Sequence, residues 1–176
     1  MKLFIKNMIC TRCKMVVKKE LENLGLHYTR VQLGEVVISE ELNNKQLEQL
    51  KAALSESGLE LMDDKKAILN ERIKIAVFEH VYRNEELSKI NFSEAISEKL
   101  QTDYNFLAGV FSELNETTIE NYYIKLKIER VKELLLKTDL TLTEISYKLN
   151  YCSIAHLSAQ FKRITGLTPT FYKNLR

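Results

Sequence analysis

Cys10 and Cys13, three residues apart in the run NMICTRC, are the side chains of this 176-residue chain best suited to soft-ligand chemistry. The third cysteine, Cys152, is distant in sequence, so the set makes a poor disulfide framework, and the pair reads as reduced thiols for metal or redox chemistry. Two thiolates suit Cu(I) or another soft metal ion that accepts two-coordinate geometry. Tetrahedral structural zinc would need two further ligands, which this stretch does not offer. Arg12, Lys14 and the first turn of a following helix are expected to lower both thiol pKa values. Met8 reads as a core residue beneath the loop rather than a ligand.

A second stretch with chemical character is TEISYKLNYCSIAHLSAQFKRITG, residues 143 to 166. Residues 140 to 176 carry a net charge of +4, against +1 for residues 1 to 66 and −3 for residues 67 to 139. A polyanion would therefore dock at the C-terminal end. The stretch reads as a helix, a tight turn and a second helix with Leu157, Phe161 and Ile164 inward and Ala155, His156, Ser158, Ala159 and Lys162 outward. Ser153 sits at the turn, and Lys162, Arg163 and Lys148 are placed for phosphate contacts, which supply affinity without sequence information.

The elements that must position these residues divide into two sets. Residues 3 to 9 read as a strand and 13 to 24 as a helix closed by Gly25; YTRVQL and EVVIS flank Gly34 as a hairpin; NKQLEQLKAALSES is a second helix and LELM a last strand. That order, βαββαβ, is the ferredoxin-like plan. From Asp63 the pattern is helical to the end of the chain, with Asp63 and Asp64 able to cap a helix over residues 65 to 83. The expected class is α+β, with a domain at 1–66 and an all-α domain at 67–176 carrying two helix-turn-helix units. No Gly/Ser/Pro-rich linker separates them, so the long helix could couple them mechanically.

In the all-α part, NFSEAISEKLQ and DYNFLAGVFSELN form the first helix-turn-helix, TLTEISYKLNY and CSIAHLSAQFKRITG the second, with IENYYIKLKIERVKELLL between them. Thr141 and Glu144 make a capping box, and Asn150 is expected to turn through a left-handed conformation. In the first unit Asn105, Ala108 and Gly109 fall on the outward positions with Glu113 nearby, so the second unit is expected to dominate binding.

Residues 118 to 176 resemble the DNA-binding domain of the AraC/XylS family of bacterial transcription regulators. Ile145, Leu149, Tyr151, Ser153, Leu157, Phe161, Lys162, Gly166, Thr168, Pro169 and Tyr172 carry the likeness, and Arg130, Val131, Leu134 and Leu135 resemble the family's linker helix. The likeness implies double-stranded DNA as partner. It departs at 155 and 159, alanines where the family commonly has longer polar or basic residues, which leaves direct readout to His156, Ser158 and apolar contact with thymine methyls. NMICTRCKMVV, opening the βαββαβ pattern, resembles the heavy-metal-associated domain of copper chaperones and metal-transporting ATPases. That likeness implies Cys10 and Cys13 as metal ligands and a metallochaperone as a further partner.

The remaining residues suggest no other chemistry. A redox enzyme would set a cis-proline against the C-x-x-C pair, and the only proline is the distant Pro169. No Gly-rich phosphate loop, nucleophile with a base near in sequence, or catalytic carboxylate pair occurs, so no enzyme is expected. His27 and His80 are isolated, Cys152 reads as structural in its turn, and Glu40-Glu41, Asp63-Asp64 and Glu85-Glu86 read as solvated faces and helix starts. No run reaches the ~18 apolar residues of a membrane span, and the chain is expected to be cytoplasmic with no membrane partner. The expected function is sequence-specific transcription regulation, responsive to a soft metal at Cys10 and Cys13. The alternative is a non-enzymatic metal-handling or protein-interaction module whose DNA-binding domain has degenerated.

Overall fold

The computed structural model describes residues 1–82 and 91–174. Arg83, the last residue of the expected long helix, and the Glu85-Glu86 pair lie outside the described residues. The chain divides into two compact units, Met1–Ile75 and Ala76–Arg176.

The first unit runs β1 (Lys2–Lys6), α1 (Thr11–Asn23), β2 (Tyr28–Gln32), β3 (Glu35–Ile38), α2 (Asn44–Glu56), β4 (Glu60–Met62) and the first turns of α3 (Lys65–Tyr82). Its four strands form one antiparallel sheet in the order β2-β3-β1-β4, with Leu3 opposite Val36 and Phe4 opposite Met62. Alternation in KLFIK turns Leu3 and Ile5 inward, where Val36 and Ile38 join Val17 and Leu21 of α1 and Leu50 and Leu54 of α2 in a single core. Gly34 closes the β2–β3 hairpin at φ +71°, and a β-carbon there would collide with the Ile75 side chain. Asn43 and Gln46 form a capping box on α2, and Asp64 caps α3 by accepting from Ala67 N at 2.7 Å.

The compact division falls inside α3, later than residue 66. Local contacts explain this: Glu71 accepts a hydrogen bond from Asn7 N at 2.9 Å and Ile75 reaches Gly34, so these turns of α3 pack with the first unit.

The second unit continues through α4 (Phe92–Leu100), α5 (Tyr104–Asn115), α6 (Ile119–Lys137), α7 (Leu142–Lys148), α8 (Ile154–Thr165) and α9 (Pro169–Lys173). Most boundaries have a local cause. Asp103, Thr118, Thr141, Ser153 and Thr168 accept backbone N–H groups at the helix starts, while Gln101, Glu116, Asn150 and Gly166 turn through positive φ at the ends. The apolar stripe Ile128, Val131, Leu134 and Leu135 of α6 meets Ile145 and Leu149 of the first helix of the second helix-turn-helix and Leu157 and Phe161 of its second. No helix among the described residues is long and apolar enough to cross a membrane.

Candidate nucleic-acid interface and candidate metal site

β1 stops at Lys6 because Asn7 takes φ +65°, and Met8 then drops into the core with no exposed surface, as its reading as a packing residue requires. The chain returns as α1 with Cys10 as its N-cap in extended conformation, so Cys13 lies in the first helical turn rather than opening the helix. Cys10 Sγ accepts from Cys13 N at 3.4 Å, the two sulfurs are 3.1 Å apart, and Cys13 Sγ donates to the Asn7 carbonyl at 3.7 Å.

This geometry splits the two acidities. Hydrogen bonds from the Cys13 thiol and backbone N–H, with a smaller contribution from Arg12, hold Cys10 below the usual thiol range. Burial, and the bond its thiol makes to Cys10, push Cys13 up. The expectation that the helix start and the neighbouring cations lower both values is therefore corrected. Cys10 is the more acidic thiol of the pair. Ile9 and Met15 stand exposed on either side, Met15 at 66%. Among the described residues no three or more His, Cys, Asp or Glu side chains gather as a metal cluster. The donor set on hand is two soft sulfurs, which fits a two-coordinate soft ion and not tetrahedral zinc.

In the second helix-turn-helix, the buried pair Leu157 and Phe161 seats α8 and sets which side it shows. Ala155, His156, Ala159, Lys162 and Arg163 are exposed on the opposite side, and Ser158 is half-buried. Ser153 accepts from His156 N at 3.1 Å, so the end of α8 that would enter a groove is capped by a side chain. Lys148 is exposed on the last turn of α7. Ile164 does not point inward as its spacing suggests: it is 39% exposed. Phe161, on the buried side of the same helix, meets Tyr172 of α9, ring centroids 5.5 Å apart.

Two residues beside this face have tertiary partners that the sequence does not display. Tyr151 is buried in the turn and donates its hydroxyl to Gln160 Oε1 at 2.9 Å. Lys127 of α6 is 8% exposed, with Nζ 3.7 Å from the Tyr151 ring centroid and 5.3 Å from that of Tyr123. Burial pulls its ammonium down to about 8. Only a sequence offering the fold in advance would reveal that a lysine at 127 lies against a tyrosine at 151.

The first helix-turn-helix has the same layout with different outward chemistry. Leu107, Val110 and Phe111 bury α5; Asn105 and Gly109 are exposed, Ala108 is half-buried, and Phe106 stands 59% exposed beside Asn105. Elsewhere, His80 is not isolated. It packs edge-on to Phe92 and Tyr123, and burial first, then Lys99 and Lys127, lower its pKa. Cys152 is exposed, which corrects its reading as a structural residue, while His27 is solvated beside Glu40.

A family model described as a helix-turn-helix domain matches residues 96–174. The melibiose operon regulatory protein of Escherichia coli K12 is 26% identical over 80 residues, 46% of this chain, and the chain covers 26% of that protein's length. Among solved structures, the C-terminal domain of AraT, a response regulator from Geobacillus stearothermophilus, superposes with a TM-score of 0.55 at 21% identity, covering 64% of this chain and 89% of that one. The DNA-binding domain of AdpA, solved in complex with a target DNA, gives a TM-score of 0.50 at 19% identity, covering 61% and 90%. At these identities the two solved structures speak to the fold.

Proposed function

We propose, from the premise that the C-terminal region of this chain carries an AraC-type helix-turn-helix DNA-binding domain, a non-enzymatic module, that the protein is a sequence-specific transcription regulator responsive to a soft metal ion. In this reading α8 lies in the major groove of double-stranded DNA with its Ser153-capped end toward the bases. Lys162, Arg163 and Lys148 hold phosphates, and His156, Ser158, Ala155 and Ala159 face base edges. The observation that carries the reading is the two-sided character of α8: a buried Leu157/Phe161 stripe behind an exposed face that contains two basic residues and no acidic one.

At the other end, Cys10 and Cys13 would hold Cu(I) or a similar soft ion, which supplies a Lewis-acidic centre that binds two thiolates. The βαββαβ order with antiparallel strands β2-β3-β1-β4 supports a ferredoxin-like, heavy-metal-associated reading of the first unit. Cys10 is the first sulfur to engage because it gives up its proton more readily, and the exposed Ile9 and Met15 offer an apolar rim for a metallochaperone to touch. Metal sensing requires the ion to bind more tightly in one DNA-affinity state than in the other.

The test is selection from a random DNA pool, run without metal and with Cu(I) under reducing conditions. A motif enriched in one condition only supports the whole reading, and the double variant Cys10→Ser/Cys13→Ser should then enrich equally in both. A motif indifferent to metal keeps the regulator and removes the sensor. A second reading, an interaction module with degenerate DNA binding, is favoured by the alanines at 155 and 159 and by Gly109. It predicts no enriched motif in either condition.

A further inference from the structure

The turn between α7 and α8 brings one aromatic ring against the two residues on the flank of the recognition face. Tyr151 lies edge-on to His156, ring centroids 5.4 Å apart at 81°, and its hydroxyl meets Gln160 Oε1 at 2.9 Å. Beneath the ring, Lys127 Nζ sits 3.7 Å from the centroid. A cation on the face of a phenol draws density from the ring and makes the hydroxyl a stronger donor, which favours the bond running from Tyr151 to the amide oxygen. Lys127 is itself backed by Tyr123, stacked on Phe92 at 4.0 Å, so the support extends into the packed interior of the second unit.

The consequence falls on Gln160. Its oxygen is engaged on the protein side, while its Nε2 makes no hydrogen bond among the described residues. The side chain lines a shallow notch of about 180 Å³ with His156, Ala159 and Arg163, and the small side chain of Ala159 leaves that notch open. A freely rotating glutamine presents a donor and an acceptor together and pairs with adenine N6 and N7. A glutamine whose oxygen is turned away presents two N–H donors and nothing else, which matches the paired acceptors O6 and N7 of guanine.

We infer that Gln160 is a specificity-determining residue that reads guanine at one position of the DNA site, and that Tyr151 is the positioning residue that fixes its polarity. The inference rests on the DNA-binding reading above and deepens it, by assigning a base contact to a residue on the half-buried flank of α8.

The experiment is the same random-pool selection on the full chain, comparing wild type with Tyr151→Phe, Gln160→Ala and Gln160→Glu, and recording thermal melting of each. Tyr151→Phe keeps the ring, the Lys127 contact and the His156 contact while releasing the amide. Guanine preference over adenine at one position should fall about tenfold in this variant and in Gln160→Ala, with the other positions unchanged. Gln160→Glu, which turns the free end from donor to acceptor, should move that position from guanine toward cytosine, whose N4 donates. A merely structural role for these residues would weaken every position together and shift no base. A wild-type motif that all three variants retain overturns the inference and leaves the regulator standing. No wild-type motif overturns the DNA-binding reading, and the inference with it.

Discussion

Lys127 is an uncommon resident of a helix interior, and the pH dependence of stability should expose it. Its folded pKa of about 8 lies below the ordinary lysine value of 10.5, so between those two values the unfolded chain binds more protons than the folded one. Stability should therefore rise as pH increases from about 8. The cost of burying the ammonium, about 3 kcal/mol from the shift, is present in full below pH 8, and the Tyr151 and Tyr123 ring faces return part of it. Above about pH 10 the sign reverses: Tyr82, pushed up to about 12 by burial, and Tyr104 and Tyr151, raised chiefly by burial, hold their protons longer when folded, while the unfolded chain ionises. Lys127→Met should raise stability at pH 7 by about 1–2 kcal/mol and erase the rise, as chemical denaturation at pH 7 and pH 9.5 would show. A destabilised variant that keeps the rise would mean that another group titrates. On the acid side, His80 is buried with a lowered pKa, so stability is expected to fall as pH drops below the ordinary histidine value of 6.5.

At the scale of elements, the second helix-turn-helix is held together by short-range chemistry that a sequence displays openly. Thr141 and Glu144 form a complete capping box, with Glu144 Oε2 accepting from Thr141 N at 2.7 Å and Thr141 Oγ1 accepting from Glu144 N at 3.2 Å. Thr141→Ala should cost about 1 kcal/mol of stability, measured by thermal or urea unfolding, because a seven-residue helix has few other bonds to fall back on. Thr168 and Pro169, which open α9, are legible only through the family resemblance, whereas the same kind of local signal makes Asn150 legible as a left-handed turn. Period-two alternation in KLFIK and the Gly34 hairpin were legible for the same reason. What could not be read were consequences of packing between elements distant in sequence. Ile164 has the spacing of a core residue and stands 39% exposed on the last turn of α8. Cys13 is expected from its sequence setting to share the lowered pKa of Cys10, but burial is a tertiary property, and it reverses the sign for Cys13. Gln160 acquires its orientation from a tyrosine nine residues earlier and a lysine on another helix.

At the scale of the whole molecule, charge is distributed along the chain so that its C-terminal residues, 140 to 176, carry the net positive charge that suits a polyanion. Three basic side chains, Lys148, Lys162 and Arg163, accompany the proposed DNA-facing side of the second helix-turn-helix, whereas Asn105, Phe106 and Gly109 are uncharged on the first. Three neutralised phosphates give a slope of about −3 in a plot of log affinity against log salt concentration, and Lys162→Ala should flatten it by about 1 while weakening all sequences alike. A slope twice as steep would mean that both units grip the backbone.

Three of the turns in the second unit, at Gln101, Glu116 and Asn150, hold left-handed backbone conformations without a glycine. Each conformation costs roughly 1 kcal/mol relative to an unstrained turn, and each lies at a joint between two helices rather than inside one. Thermal breathing of this unit therefore begins at the joints. Hydrogen exchange should register the helix-terminal amides at these three corners ahead of the helix centres, as though rigid rods were pivoting on sprung pins.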